Sequence, residues 1–386
     1  MVSKIIDFLI FTVIFFSSIV LFKEPFEFQI SYFGLILLLG VFSLKYKFPT
    51  QIMSLFVPLF IFGVINVAFE NVTFGEFFKI FLNIFVGVLF FYYVFEYYER
   101  DLKKFFEIYM QWSYVAALIG IMQLLSFWVG FKYGYDFIWL GFNKWGVTAG
   151  GFGIRVNSIF CEPSYVGSTL GPAFFVSVYN LIFNKNFFST KIMNIAIIVC
   201  YLLSTSTVAY MGIFICLFLL LLNYGLVRYI AFVIPFAFII YMYIYSNVPE
   251  FKVRMDGLKS LYIDDILTTR GLDESKGGAV YQQEQTKYLL TQIHGSSFIQ
   301  YNNYYITKNN FFENPLFGSG LGSHEVAFQK YDLSPKLGNL YDGNQADANS
   351  MLLRTISETG LFGFIFLILF IRNNYLTTKM VNSALR

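Results

Sequence analysis

Long apolar runs recur along most of this chain, and they constrain its fold more than any other feature. A helix needs about 20 mostly apolar residues to cross a bilayer. Runs of that kind occur at approximately residues 5–22, 28–44, 50–69, 74–95, 105–130, 159–183, 191–205, 207–224, 228–246 and 349–371. The expected fold class is therefore an all-α polytopic membrane protein with about ten transmembrane helices.

Composition excludes a soluble globular fold. The chain is 57% hydrophobic and 13% charged, whereas soluble domains carry about 25% charged residues. Cys161, Cys200 and Cys216 match no metal or disulfide spacing, so we interpret them as small apolar residues. The first apolar run has no cleavage site after it and is expected to remain as a signal-anchor helix.

Lysine and arginine in short loops predict the orientation, because such loops are enriched in positive charge on the cytoplasmic side. With a cytoplasmic N-terminus, the inner set is Lys4, Lys45, Lys47, Arg100, Lys103, Lys104, Lys185, Lys191, Arg228, Arg372, Lys379 and Arg386. The outer set is Lys23, Lys79, Lys132, Lys144 and Arg155. The inner set has twelve Lys and Arg residues and the outer set has five. This excess predicts that both termini are cytoplasmic and that one large polar loop is extracytoplasmic.

Three regions follow from this topology. Residues 1–246 are a transmembrane bundle of about nine spans with an outer segment at 131–155, residues 247–348 are the large extracytoplasmic loop, and residues 349–386 hold the last span and a short cytoplasmic tail. A loop of this length is usually functional or disordered. Its mixed composition predicts an ordered cap, and residues 291–312 are expected to form an amphipathic helix on the bilayer surface.

The first polar motif on the outer side runs from Arg155 to Ser164. Pro163 suits the first turn of a helix, which places Glu162 at the mouth of that helix. A carboxylate there is favoured by the helix dipole. Helix capping and a functional role are both open for Glu162.

A second motif, Ser204–Thr207 with Tyr210 and Gly212, consists of hydroxyl and small residues within apolar sequence. Such residues usually allow spanning helices to approach closely. The pattern therefore favours helix packing over chemistry.

The third motif is Asn314-Pro-Leu-Phe-Gly-Ser-Gly-Leu-Gly-Ser-His-Glu325, with glycine at every second position from Gly318 to Gly322. Backbone of this kind can form an anion-binding nest of N–H groups. No Lys-Ser/Thr pair follows, so it is not a P-loop. His324 is by default a hydrogen-bonded loop histidine.

The fourth motif opens the last apolar run. Ser350, Arg354 and Glu358 are four residues apart and share one helix face. An ionisable group inside a span costs about 2.5–3.5 kcal/mol and normally faces a partner or a cavity. The alternatives are a structural Arg354–Glu358 pair and a polar cavity entered from the outer side.

The ordered set of motifs resembles the O-antigen polymerase and ligase superfamily (Wzy and WaaL type), which are bacterial membrane glycosyltransferases with GT-C-like architecture. The residues that carry the resemblance are Arg155 with Phe160–Ser164, Ser204–Thr207, Asn314–His324 and Asn349–Gly363. They cover nearly the whole chain in the family's order. Ligases typically have His before the Asn that enters the post-loop helix; here that residue is Ala348, which favours a polymerase.

The resemblance implies an inverting, metal-independent transfer of a growing glycan from undecaprenyl pyrophosphate onto the next lipid-linked repeat unit. It implies catalytic roles for Glu162, His324 and Glu358, with Glu162 first, and pyrophosphate binding by Arg155, Arg254, Arg270 and Arg354. No cofactor is expected. The expected partners are the lipid-linked donor and acceptor, membrane lipid, and a chain-length regulator and flippase of the same pathway, with no nucleic acid.

The alternatives are an O-antigen ligase that transfers glycan to lipid A-core, a flippase for lipid-linked oligosaccharides, and a non-enzymatic partner of the assembly complex. Flippases generally carry many charges inside the membrane and have short loops. Here polarity concentrates in one outer loop and at helix mouths, which favours an enzyme at the outer face of the bacterial inner membrane.

Overall fold

A computed structural model describes residues 2–16, 19–22, 28–141, 146–223, 230–247, 249–262, 295–337, 345, 348 and 350–384. Of these described residues, 76% are helical. The α-helices are α1 Val2–Phe15, α2 Ile30–Lys45, α3 Thr50–Ala68, α4 Phe74–Tyr97, α5 Leu102–Trp128, α6 Lys132–Tyr135, α7 Pro163–Thr169, α8 Gly171–Ile182, α9 Lys191–Leu203, α10 Thr207–Asn223, α11 Ile230–Asn247, α12 Pro249–Tyr262, α13 Gly295–Glu313, α14 His324–Tyr331 and α15 Met351–Ala384. Short 3₁₀ helices lie at Phe137–Leu140 and Ser334–Leu337. Strand β1 (Val20–Phe22) pairs antiparallel with β2 (Phe28–Gln29), and β3 (Ala149–Gly150) with β4 (Gly153–Ile154).

Three helical segments of the described chain are long and apolar enough to cross a membrane. They are Phe74–Tyr97, Leu102–Trp128 and Met351–Leu369. Large apolar side chains also face outward from shorter helices; Leu44 is 93% exposed and Ile192 is 72% exposed. Because such surface is unfavourable in water, the structure is compatible with an all-α membrane protein.

Two predicted runs, at 5–22 and 159–183, are interrupted in the structure. The run at 5–22 is helical only to Phe15, because its last residues form β1 and pair with β2. The run at 159–183 is broken at Leu170 between α7 and α8. Pro172 explains the break, since proline lacks an N–H and its ring clashes with the carbonyl of the preceding turn. The predicted short tail is also helical, because α15 continues to Ala384.

Packing divides the chain into two compact units. The first comprises Met1–Pro49 and Gly87–Ala231, and the second comprises Thr50–Val86 and Phe232–Arg386. In the first unit α5 packs against α9, and α9 against α8; in the second, α13 packs against α12, α14 and α15. The boundaries predicted at 246 and 348 divide the chain by its placement in a membrane, whereas these two units are defined by packing. The predicted boundaries therefore stay a prediction.

The described part of the large polar loop is mostly helical. Helix α13 covers most of the predicted helix at 291–312. Its apolar Phe298 and Ile306 are fully buried, and Ile306 lies in a cluster with Ala327 and Phe328 of α14. The helix is thus confirmed, but these side chains pack inside the second unit and not on a bilayer surface.

Candidate functional site

In the first unit, one buried glutamine of α5 holds the segment that carries Arg155. Gln123 is fully buried, its Nε2 donates to Asn157 Oδ1 at 2.7 Å, and its Oε1 accepts from the backbone N–H of Asn157 (3.1 Å) and of Ser158 (3.0 Å). A buried amide is stable only when its donors and acceptors are paired. Gln123 was missed by sequence reasoning, although a glutamine inside an apolar run is costly enough to attract attention.

The backbone of this segment is locally strained. Ser158 has a φ of 51°, in the left-handed region that non-glycine residues rarely adopt. Its hydroxyl donates to the carbonyl of Ala116 on α5 at 2.6 Å, which compensates for the strain. Half-buried Arg155 donates its backbone N–H to Thr148 at 2.9 Å and packs its side chain over Gly150. Arg155 therefore starts from a fixed backbone position.

Glu162 is the N-cap residue of α7 and Pro163 follows at the first helical position, as predicted. The carboxylate makes no capping hydrogen bond to the helix. It accepts from the Ser164 hydroxyl at 3.0 Å and is exposed. The Glu162 side chain therefore does not cap α7, and its carboxylate is accessible to a ligand.

The Ser204–Thr207 segment serves helix packing, as predicted. It joins α9 to α10, and the Ser204 hydroxyl donates to the carbonyl of Tyr201 at 2.7 Å. Tyr201 donates to the carbonyl of Gly167 on α7 at 3.1 Å. A Cβ at Gly212 of α10 would lie 2.0 Å from the Tyr201 hydroxyl, so the helices meet where glycine leaves room.

In the second unit, the glycine-rich motif is built into the last apolar helix. We call residues 314–323 the glycine loop. Helix α15 has non-helical backbone at Gly360, with φ 59° and ψ −151°. Such a break frees the carbonyls of Ser357 and Glu358 and the N–H groups of Leu361 and Phe362, which would otherwise pair with each other.

All four freed groups are hydrogen-bonded by the glycine loop. The carbonyls accept from Ser319 N at 3.3 Å and from Gly320 N at 2.9 Å. The N–H groups donate to Pro315 O at 2.9 Å and to Leu316 O at 3.0 Å. Since buried backbone groups must be paired, the break and the loop form one structural element.

Glycine is required at two points of this contact. A Cβ at Gly318 (φ 67°) would lie 2.4 Å from the Glu358 carbonyl carbon, and a Cβ at Gly360 would lie 2.6 Å from Gly318 N. On its other side the loop inserts Leu321 into a cluster with Val72 and Phe77. The loop is therefore packed between α15 on one side and Val72 and Phe77, around the start of α4, on the other.

Asn310 fixes the loop from α13. Its side-chain amide donates to Ser319 Oγ at 2.7 Å, to Ser357 Oγ at 2.7 Å and to Ser357 O at 3.0 Å. The Ser319 and Ser323 hydroxyls are 2.6 Å apart. Sequence reasoning missed Asn310, because nothing in its neighbourhood indicates a partner 47 residues later.

The predicted nest holds the chain's own carboxylate. Glu358 is only 2% exposed, and backbone groups of Gly322 and His324 hydrogen-bond it. Arg354 Nε lies 3.0 Å from Glu358 Oε1, which confirms the predicted pair. The N–H donors and the guanidinium offset part of the cost of burying this carboxylate. Glu358 therefore orients Arg354 and the glycine loop.

The other predicted residues are placed as follows. His324 is fully buried, with its ring 6.4 Å from that of Phe328. Arg254 lies on α12, and Arg270 lies outside the described residues. The second unit thus brings together His324, Arg354 and Glu358, while Arg155 and Glu162 belong to the first unit.

Among the residues that the structure describes, no group of three or more His, Cys, Asp or Glu side chains could hold a metal ion. The candidate groups within the described ranges are carboxylates, arginines, the His324 imidazole and backbone N–H groups. Comparison with known protein families, with curated proteins and with solved structures finds no match to this chain.

Proposed function

We propose that this chain is a membrane polysaccharide polymerase of the O-antigen type. It transfers a growing glycan from undecaprenyl pyrophosphate onto the next lipid-linked repeat unit at the outer face of the bacterial inner membrane. The observation that carries the proposal is the glycine loop locked into the break of α15, with Arg354 held by Glu358. A group fixed in this way suits an enzyme, because catalysis depends on preorganised charge.

The residues have the following proposed roles. An acceptor hydroxyl attacks the anomeric carbon of the donor sugar, the bond from that carbon to the pyrophosphate oxygen breaks, and the hydroxyl proton passes to a carboxylate. Exposed Glu162 is the proposed base, and a base of this kind contributes about 10²–10⁴ in rate. Arg155 in the first unit and Arg354 in the second are each proposed as ligands for pyrophosphate, since guanidinium pairs with phosphate bidentately. His324 and Glu358, both buried, position the glycine loop and Arg354.

Gene deletion tests this function. Cells without the gene should carry surface glycan limited to one repeat unit, as seen on a gel of surface glycans. Arg155→Ala and Glu162→Ala should restore no polymer, at normal protein levels in the membrane. Ser164→Ala is the matched control: it removes the hydrogen bond to Glu162 but keeps the carboxylate, and polymer should return.

Each outcome has a distinct meaning. Loss of even the single repeat unit points to a ligase or a flippase. Full-length polymer from Glu162→Ala contradicts its role as base, and unchanged glycan in the deletion strain contradicts the proposed function altogether.

The proposed topology has about ten spans, cytoplasmic termini and an extracytoplasmic loop. With Cys161 replaced by serine, Lys308→Cys on α13 should react with a membrane-impermeant maleimide in intact spheroplasts, because Lys308 is exposed. Lys185→Cys, between α8 and α9, should react only after lysis. The reverse pattern contradicts the orientation.

A further inference from the structure

A cavity of about 530 Å³ lies between α11 and α12 in the second unit. We call it the tyrosine cleft; it is lined by Tyr241, Tyr245, Met255, Asp256, Leu258, Lys259 and Tyr262. Its size falls within the range of about 300–1,000 Å³ that small-molecule sites occupy. None of its residues belongs to the motifs or to the candidate catalytic groups described above.

Aromatic rings form its walls. Tyr241 and Tyr245 lie one turn apart on α11, with ring centroids 5.9 Å apart and an interplanar angle of 21°. Tyr262 of α12 is 45% exposed and is held from behind by Tyr301 (5.1 Å, edge-on) and Tyr304 (5.7 Å) of α13. Rings supported by other rings keep their orientation and present flat surfaces to a ligand.

Polar groups accompany these rings. The Tyr245 hydroxyl donates to Asp256 Oδ1 at 2.5 Å, and Lys259 completes the lining. Flat aromatic surfaces bind the C–H faces of sugar rings, while carboxylate and ammonium groups hydrogen-bond the hydroxyls at their edges.

Tyrosines at the end of a spanning helix also occur in the interfacial aromatic belt. Tyr243 distinguishes an aromatic belt from a ligand-binding cleft. It lies on the same helix between Tyr241 and Tyr245, is 69% exposed and does not line the cavity. If these tyrosines only anchored the helix at the membrane interface, Tyr243 and Tyr241 would be equally important. If they bind a ligand in the cleft, only Tyr241 should matter.

We propose that the tyrosine cleft binds the saccharide part of the lipid-linked glycan, through stacking on Tyr241 and Tyr262 and hydrogen bonds to Asp256. The proposal rests on the proposed function for the identity of the glycan. It assigns the cleft to holding the chain and leaves bond formation to other residues.

The test uses the full-length chain in lipid nanodiscs. The probe is the surface polysaccharide of the producing strain, cut by mild acid into short oligosaccharides, and binding is followed by saturation-transfer NMR. Tyr241→Ala and Tyr262→Ala should each weaken binding about tenfold, which corresponds to the loss of one stacking contact. Tyr243→Ala and Tyr262→Phe, which keep the cleft or its ring, should bind as wild type does.

Equal binding by Tyr241→Ala and Tyr243→Ala, or no binding by the wild-type chain, overturns the proposal. Thermal melts of each variant identify any loss that comes from misfolding, and Tyr241→Ala remains the test of stacking if Tyr262→Ala does not fold. The binding assay is independent of polymerisation. If the chain binds the oligosaccharide but gene deletion does not change glycan length, only the proposed function is refuted. If deletion shortens the glycan but the chain does not bind the oligosaccharide, only the proposal for the cleft is refuted.

Discussion

Replacing Glu358 by alanine is expected to destabilise the second unit by about 3–5 kcal/mol, because it leaves the partly buried Arg354 without its carboxylate. The N–H groups of Gly322 and His324 also lose their acceptor. In a thermal melt of the detergent-solubilised chain this corresponds to a fall in Tm of roughly 5–15 °C. If the chain is the proposed polymerase, polymer formation should be lost at the same time, since Arg354 would no longer be oriented.

An exposed ion pair in the same unit provides the control. Lys330 Nζ lies 2.7 Å from Glu313 Oε2, and its ammonium lowers the pKa of the Glu313 carboxyl below its ordinary value. Both side chains are solvent-exposed, and pairs of that kind are screened by water. Glu313→Ala should therefore leave Tm unchanged near neutral pH. An equal effect of the two substitutions contradicts the assignment of Glu358 as the buried anchor of the loop.

Gly318→Ala is expected to separate the glycine loop from α15. The added Cβ would lie 2.4 Å from backbone atoms of Glu358 and Thr359, in a residue whose φ of 67° disfavours side chains. Left-handed strain and overpacking together amount to about 2–5 kcal/mol. The measurement is the fraction of protein that elutes as a single peak on size-exclusion chromatography, together with its Tm.

Gly75→Ala is the matched control for that substitution. Gly75 lies in the first turn of α4, in the same unit, and a Cβ there would meet no atom within 4 Å. Alanine favours a helix over glycine, so this variant should be as stable as wild type or slightly more stable. A Gly318→Ala variant as stable as Gly75→Ala would mean that the loop does not depend on close approach to α15.

Local physical rules predicted several parts of this structure from the sequence. Pro163 correctly marked the start of α7 and placed Glu162 at its N-cap, because proline restricts its own backbone. The four-residue spacing of Arg354 and Glu358 predicted their pair, since such residues share a helix face. The alternating glycines predicted a nest of N–H groups.

Contacts between residues far apart in the sequence could not be predicted from such local rules. The anion in the nest is Glu358, which follows Gly322 by 36 residues. Gln123 holds Asn157, 34 residues later, through a contact that hydropathy hides. The break at Leu170 was overlooked because an apolar run masked the effect of Pro172. Which polar groups meet depends on tertiary packing, and a single sequence records it only indirectly.

The break at Gly360 has a consequence for biogenesis. It lies within the candidate span Met351–Leu369, and lipid offers no hydrogen bonds to exposed backbone groups. Because the glycine loop supplies the partners for those groups, the backbone at the break is fully hydrogen-bonded only after the loop has docked against α15. If the loop is extracytoplasmic, as the proposed topology has it, the last span should integrate only after the large loop has crossed the membrane.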